Sequence, residues 1–225
     1  MLGFSLWFES LRGTQAELVA LPAGNVVPAQ DSLPSAQLTT VGLNGLTAWR
    51  GLADLKLAAG ETLVVTGASG SVGGFAVELA AARGFTVIGV VRDDQKHDAL
   101  ELGASAVVSA GDAELGAAVR EILPDGADAL LDTASIAGPA LAAIRDGGKY
   151  VTVTAVPAAE RGIDVFRSGG RMDAAALRTL ADMAAAGQLH TPVAHSYSVD
   201  DVRVAYEAFT KRSGRGRLVL TFAES

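Results

Sequence analysis

A glycine-rich stretch between residues 67 and 73 has the residue types and the spacing that phosphate binding requires. It follows the apolar run Thr62–Thr66 and leads into residues with helical spacing, so a buried strand, a tight turn and a helix are expected in that order. Glycines allow the backbone to turn tightly and to approach a pyrophosphate, while the N–H groups and the dipole of the helix start attract its charge.

This stretch departs from the pattern G-x-G-x-x-G at one position. Ala68 stands at the first glycine position, with Gly67 beside it, and Gly70 and Gly73 are kept. Together with the expected strand and helix, the pattern predicts a dinucleotide site. The alternative is a glycine turn that only permits close packing of the helix on the strand.

The end of the next expected strand bears on the choice between NADP and NAD. Arg92 follows the apolar run Thr86–Val91, and Lys96 lies four residues further on. A cation at this point favours the 2′-phosphate of NADP, whereas an acid there would bind the ribose hydroxyls of NAD. Asp93 is therefore the rival, and the two cations could also be solvated residues at a helix start. We predict NADP(H).

Alternating strands and helices position these residues. Strands are predicted at 62–66, 86–91, 106–108, 128–132 and 149–154, with helices at 71–83, 94–102, 113–122 and 138–145. Continuous apolar strands are typical of a sheet buried on both faces. The alternation predicts right-handed crossovers and an α/β fold with a doubly wound parallel sheet, the Rossmann architecture.

The two ends of the chain are less regular. Residues 1–37 are loop-rich, with a strand-like piece at 16–20, and a helix is predicted from Leu38 onward. A strand near 161–167 and a helix at 173–187 complete the layer. A helix at 199–210 and a strand at 217–221 are predicted at the end of the chain.

Composition narrows the classes of partner. The formal net charge of −7 and the absence of basic clusters argue against nucleic acid and against a membrane surface. The sequence has no cysteine, and its three histidines do not form a ligand motif, so no metal is expected. The apolar start is too short to span a bilayer and has no basic leader, which predicts a cytoplasmic protein.

Several segments, in the same order, resemble the zinc-free, quinone-oxidoreductase or zeta-crystallin-like branch of the medium-chain dehydrogenase/reductases. These segments are Leu43–Leu52, Gly67–Gly73, Leu102–Val107, Asp128–Thr133, Gly147–Val151 and Gly214–Leu220. The resemblance implies a domain at 38–190 that binds NADP, with residues 1–37 and 191–225 as the remnant of a GroES-like catalytic domain. Most of that barrel has no counterpart here. Members of the family commonly have a tyrosine just after the third strand, and this sequence has Ala110 at that position.

The resemblance also implies which residues line the cofactor and what reaction it serves. The implied cofactor residues are Thr47, Ser69, Gly70, Ser71, Val72, Gly73, Arg92, Lys96, Thr133, Val153, Thr154 and Ala155. The implied reaction is hydride transfer from NADPH to a quinone or to the β-carbon of an activated alkene such as an enone, enal or enoyl compound. The resemblance further implies a homodimer, joined along the apolar strand near Ile163–Phe166.

No residue stands out as catalytic. Asn44 and Tyr197 are candidate proton donors or oxyanion partners, although Asn44 could equally begin a helix and Tyr197 could simply place its hydroxyl in water. The alternative function is a sensor or assembly module that binds NADPH with little turnover. A short-chain dehydrogenase is disfavoured, because the positions four residues after Tyr150, Tyr197 and Tyr206 are not lysine.

Overall fold

The computed structural model describes residues 1–5, 13–111, 114–169, 171–211 and 216–222. The chain folds as two compact units, one made of Thr47–Gly169 and the other of Met1–Leu46 together with Gly170–Ser225. The assignment of residues 1–37 and 191–225 to the remnant of a catalytic domain stays a prediction.

The secondary-structure elements are numbered in chain order. The strands are β1 (Leu2–Gly3), β2 (Val26–Val27), β3 (Thr62–Thr66), β4 (Thr86–Val91), β5 (Ala106–Ser109), β6 (Ala127–Asp132), β7 (Ile144–Thr152), β8 (Asp164–Arg167), β9 (Val193–Ser198) and β10 (Arg217–Thr221). The α-helices are α1 (Ser35–Thr40), α2 (Leu46–Leu55), α3 (Ser71–Ala82), α4 (Lys96–Glu101), α5 (Leu115–Ile122), α6 (Ala174–Ala185) and α7 (Val202–Thr210).

The larger unit is built on a six-stranded parallel sheet with the order β5-β4-β3-β6-β7-β8. The chain moves outward from β3 to β5, returns to the other side of β3 with β6, and continues outward to β8. The predicted doubly wound α/β fold is thereby confirmed. Leu63, Val64 and Val65 of the central strand are fully buried, as expected for a strand covered on both faces. The order reverses between β3 and β6, where such sheets bind their ligands.

Three predicted elements of this unit need correction. The α-helix predicted at 138–145 is a 3-10 helix, Gly138–Ala143, because Ile144 is already extended and only six residues are left for the connection. The strand predicted at 149–154 is Ile144–Thr152, so it ends before Val153. The strand predicted at 161–167 begins only at Asp164, since residues 161 and 162 have positive φ angles and form a turn.

The predicted helices of this unit are otherwise present with shorter bounds. The helix predicted at 71–83 is α3, and the helix predicted at 94–102 consists of a 3-10 turn, Asp93–Gln95, followed by α4. The helix predicted at 113–122 is α5, and residue 113 lies outside the described residues.

The smaller unit contains two short sheets. Strands β1 and β2 pair antiparallel, and β9 and β10 pair parallel. The strand-like piece predicted at 16–20 is wrong: it has no strand structure, and the side chain of Leu18 is 91% exposed, so no apolar partner holds it. The helix predicted from Leu38 already begins at Ser35, because Pro34 precedes it with φ −54° and ends the extended segment. In the described part of the chain, no helix is long and apolar enough to cross a membrane.

Candidate functional site

The turn between β3 and α3 has a geometry that favours glycine at position 67 and requires it at position 73. Gly67 has φ +61°, and its carbonyl oxygen accepts a hydrogen bond from the N–H of Gly70 at 2.8 Å. A Cβ atom placed on Gly73 would lie 2.1 Å from the carbonyl oxygen of Gly67. The first turn of the helix therefore rests directly on the backbone of the loop, which brings the start of α3 close to the end of the strand.

The start of α3 is open to a ligand. Gly70 is the N-cap, and no side chain of the described residues forms a capping hydrogen bond with the helix. Gly70 is exposed, and Ser71 and Val72 are partly exposed. The first N–H groups of an α-helix have no partner within the helix, and they carry the positive end of its dipole. This glycine turn thus offers a pyrophosphate a backbone that it can approach closely, the first N–H groups of the helix as donors, and the positive end of the helix dipole. The residues present fit the predicted dinucleotide.

The loop after β6 lies against the glycine turn at the point where the strand order reverses. The hydroxyl of Thr133 donates to the carbonyl oxygen of Thr66 at 2.6 Å, and its N–H donates to the Thr66 hydroxyl at 2.9 Å. A Cβ atom on Gly67 would lie 3.3 Å from both the Thr133 hydroxyl and the Cβ atom of Ala134. The structure therefore brings Thr133 and the glycine turn together, and their role in lining the cofactor stays a prediction.

The cations after β4 lie at the expected place, and acids accompany them. Nε of Arg92 lies 3.3 Å from a carboxylate oxygen of Asp94, and Nζ of Lys96 lies 2.8 Å from one of Asp93. The hydrogen bond from Lys96 holds the pKa of Asp93 below its ordinary value. The Arg92 side chain is 66% exposed and can turn toward a ligand. Arg92 and Lys96, the cations predicted to favour NADP, and Asp93, the acid that would favour NAD, thus all lie just after the end of β4.

The chain after β7 meets the loop after β6 through side-chain hydroxyls. The hydroxyl of Ser135 donates to that of Thr154 at 3.0 Å, and the N–H of Thr154 donates to the hydroxyl of Thr152 at 3.0 Å. Ser135 and Thr154 are both exposed, as is Ala155, whereas Val153 is partly buried. Of the three residues predicted here, Thr154 has this polar contact with the neighbouring loop.

Sequence reasoning missed a buried carboxylate at the end of β6. Asp132 is fully buried, and its two oxygens accept hydrogen bonds from the hydroxyls of Thr66 and Tyr150, each at 2.6 Å. It also accepts from the N–H groups of Ala134 at 3.1 Å, Ile136 at 3.3 Å and Ala137 at 2.9 Å. A signal was present in the sequence, since an acid directly follows the apolar run Ala129–Leu131 at the end of the strand.

The ionisation of Asp132 and Tyr150 follows from these contacts. Burial by itself raises the pKa of Asp132, but the hydrogen bonds from Thr66, from Tyr150 and from the backbone outweigh it and hold the pKa below its ordinary value. Burial, together with the hydrogen bond to Asp132 and its negative charge, raises the pKa of the Tyr150 hydroxyl. At neutral pH the carboxylate is charged and the tyrosine keeps its proton, so the tyrosine is the donor.

Of the remaining predicted residues, Thr47 belongs to the larger unit, and Asn44 and Tyr197 belong to the smaller one. Thr47 lies in the first turn of α2 and is partly exposed. Asn44 is buried in a π-helical turn, Val41–Gly45, where its carbonyl oxygen accepts from Arg217 at 3.0 Å. Its amide nitrogen has no hydrogen-bond partner among the described residues. Tyr197 of β9 is half-buried, with its ring 4.3 Å from that of His195. The catalytic roles of Asn44 and Tyr197 stay predictions.

Comparison with known proteins shows similarity to one family over part of the chain. The family described as "Zinc-binding dehydrogenase" matches residues 71–177. YfmJ of Bacillus subtilis, which carries the name of an NADP-dependent oxidoreductase, is 37% identical over 109 residues, or 47% of this chain and 32% of YfmJ. An NAD-dependent alcohol dehydrogenase of Sulfurisphaera tokodaii is 33% identical over 150 residues, or 63% of this chain and 42% of that enzyme. The chain spans less than half the length of these relatives.

A similar fold is found among solved structures. The crystal structure of AibC superimposes with a TM-score of 0.83 at 25% identity, covering 90% of this chain and 65% of AibC. Zinc sites use cysteine, histidine and carboxylate ligands. The sequence has no cysteine, and the described residues contain no group of three or more His, Asp or Glu that could hold a metal, so they do not fit a zinc site. The match to this family over residues 71–177, the parallel sheet and the glycine turn make the chain similar to the medium-chain dehydrogenases/reductases, with a Rossmann-type fold.

Proposed function

We propose that this chain binds NADP(H) and supports zinc-independent hydride transfer to a quinone or an activated alkene. The observation that carries the proposal is the uncapped start of α3 behind the glycine turn, at the reversal of strand order, with Arg92 at the end of the neighbouring strand. The acceptor class comes from the resemblance of the chain's motifs to the quinone oxidoreductases. Relatives carry the names of NADP- and of NAD-dependent enzymes, so the choice of NADP(H) rests on Arg92 and Lys96.

The chain's own residues have distinct roles in this proposal. The glycine turn and the helix start, Ser69 to Gly73, hold the pyrophosphate, and Arg92 with Lys96 binds the 2′-phosphate of the adenosine. Thr47, Thr133 and the segment Val153–Ala155 line the remainder of the cofactor. A bound reduced nicotinamide supplies the hydride, while the protein orients it and keeps water from the reacting atoms. Asn44 and Tyr197 are the candidate donors to the acceptor oxygen.

Replacing Arg92 by alanine tests both the site and its preference. We expect the affinity for NADPH to fall about tenfold, the loss expected for one charge-assisted contact, with the affinity for NADH changed less than twofold. Titration of nicotinamide fluorescence measures both. Arg203→Ala, which removes an exposed arginine from α7, is the matched control and should leave both affinities unchanged. An equal loss for NADPH and NADH in Arg92→Ala would contradict the assigned preference.

Adding a simple quinone to the wild-type complex then separates the two candidate functions. Oxidation of NADPH that depends on the quinone establishes the reductase. Tight binding without oxidation favours the sensor or assembly module. If neither nucleotide binds, the proposed function is wrong and the glycine turn serves packing alone.

The homodimer and the cytoplasmic location stay predictions. Strand β8 is the edge of the six-stranded sheet, and an open edge is available for pairing with a second copy. The apolar strand predicted near Ile163–Phe166 needs one correction: Ile163 precedes the strand and is buried in the unit's own core, so Val165 and Phe166 are its apolar residues. We expect light scattering at micromolar concentration to give twice the mass of one chain, and a monomer peak would contradict the dimer.

A further inference from the structure

We propose that Asp132 is a positioning residue that holds the loop after β6, residues 133–137, as the binding surface for the nicotinamide half of the cofactor. The inference rests on the proposed function, because it assigns one part of the same crevice to one half of the dinucleotide.

The carboxylate of Asp132 organises the backbone of this loop. Its Oδ1 atom accepts from the N–H groups of Ala134 at 3.1 Å and Ile136 at 3.3 Å, and its Oδ2 atom accepts from that of Ala137 at 2.9 Å. Three backbone donors within four residues thus point at one side chain. The loop therefore curls around the carboxylate, and its shape depends on the position of Asp132.

Two neighbouring strands fix that position. Thr66, at the end of β3, donates its hydroxyl to Oδ1 of Asp132, and Tyr150 of β7 donates its hydroxyl to Oδ2, both at 2.6 Å. All three side chains are fully buried, and the donors that reach the carboxylate from the described residues are neutral hydroxyls and amides. The sheet holds Thr66 and Tyr150 rigidly, so their hydrogen bonds to Asp132 fix the position of the loop relative to the sheet.

The backbone of the loop is strained in a way that these bonds explain. Ser135 and Ala137 have φ angles of +62° and +59°, positive values that residues other than glycine rarely adopt. Such conformations persist where the surroundings determine them. Here the bound N–H groups of Ala134 and Ile136 flank Ser135, and the N–H of Ala137 itself is bound to Asp132. The result is that the Ser135 hydroxyl meets that of Thr154 at 3.0 Å, with both residues exposed after adjacent strands.

The place of this hydroxyl pair in the sheet indicates which half of the cofactor it meets. In doubly wound sheets the pyrophosphate lies at the first glycine turn, and the adenosine lies toward the strand that follows it, which is β4 here. The dinucleotide crosses the crevice where the strand order reverses. Its other nucleotide therefore falls on the side of β6 and β7, where Ser135 and Thr154 offer hydroxyls for the ribose or the carboxamide of the nicotinamide.

Asp132→Asn tests the assignment, because one amide cannot accept all of these hydrogen bonds. We expect the affinity for NADPH to fall about tenfold, while the affinity for adenosine 2′,5′-bisphosphate, which lacks the nicotinamide half, changes less than twofold. Asp128→Asn is the matched control. It lies at the other end of β6, where Asp128 bonds to Thr62 in the same way, and it should leave both affinities unchanged.

The outcomes separate this inference from the proposed function. If the wild-type chain binds neither ligand, the proposed function fails. If it binds both, and Asp132→Asn weakens both equally or neither, the positioning role is overturned, since general loss of structure does not distinguish the two ligands. Should Asp132→Asn fail to fold, Tyr150→Phe removes one donor and leaves the loop N–H bonds. Tyr150→Phe should lower the affinity for NADPH about threefold and leave the affinity for adenosine 2′,5′-bisphosphate unchanged. Equal effects on the two affinities would overturn the inference.

Discussion

Replacing Gly73 by alanine is expected to abolish NADPH binding and to lower the free energy of unfolding by about 3 kcal/mol. The new Cβ atom would lie 2.1 Å from the carbonyl oxygen of Gly67, 2.7 Å from its carbonyl carbon and 3.1 Å from the Cα atom of Ala68. These are backbone atoms, so no side-chain rotation relieves the contact. The helix start must move away from the turn, which removes the cradle for the pyrophosphate. Urea unfolding and a fluorescence titration with NADPH measure the two effects.

Gly74→Ala is the control for this prediction, since it adds the same methyl group to the next residue of the same helix. Its Cβ atom would lie 3.3 Å from a terminal methyl group of Leu102, which can shift, and alanine favours a helix interior by about 1 kcal/mol over glycine. We expect stability and NADPH affinity close to those of the wild type. Retained NADPH affinity in Gly73→Ala would show that the turn does not hold the pyrophosphate.

The second large effect is expected for Thr66→Val, which keeps the shape of the side chain and removes its hydroxyl. Thr66 donates to the buried carboxylate of Asp132 and accepts from the N–H groups of Thr133 and Ala134 at 2.9 and 3.1 Å. This substitution therefore removes a hydrogen-bond donor to the buried Asp132 carboxylate. It also removes the acceptor for the N–H groups of Thr133 and Ala134. We expect the free energy of unfolding to fall by about 3 kcal/mol, measured by urea unfolding at pH 7.

Thr62→Val provides a matched comparison at the other end of β3. The Thr62 hydroxyl also donates to a carboxylate on β6, that of Asp128, at 2.7 Å, but both residues are only partly buried. Water can replace the lost partner there, so a loss of about 1 kcal/mol or less is expected. Equal losses in the two variants would mean that burial of the Asp132 carboxylate is not what makes its hydroxyl partners important.

The ion pairs after β4 bear on the preference for NADP(H). Arg92 and Lys96 each have a carboxylate partner in this structure, Asp94 and Asp93 respectively. A 2′-phosphate at this point has to compete with those carboxylates, and all four side chains remain substantially exposed, so the competition takes place in water. The affinity for NADPH should therefore depend on salt more strongly than the affinity for NADH, which has no 2′-phosphate.

Much of the sheet and of the phosphate-binding turn could be predicted from the sequence. Apolar runs such as Thr62–Thr66 and Thr86–Val91 match the strands residue for residue, because a strand buried on both faces needs an unbroken apolar run. The turn was predictable because glycine at positions 67, 70 and 73 has a backbone requirement that the residue type itself reveals. Errors arose at short connections: residues 138–143 have the composition of an α-helix, but the connection is too short and forms a 3-10 helix.

What the sequence determined by itself is thus local: buried strands, helices with an apolar face, and a glycine turn whose shape depends on a few adjacent residues. Only the tertiary structure determined which side chains on different strands contact each other. Thr66 reaches Asp132 across 66 residues because β3 and β6 are neighbours in that register, and Tyr150 reaches the same carboxylate because β7 follows. The positive φ angles of Ser135 and Ala137 occur in the loop whose N–H groups bind that carboxylate. Strand order and register determine such contacts between distant residues, and neither residue type nor local spacing in the sequence predicts them.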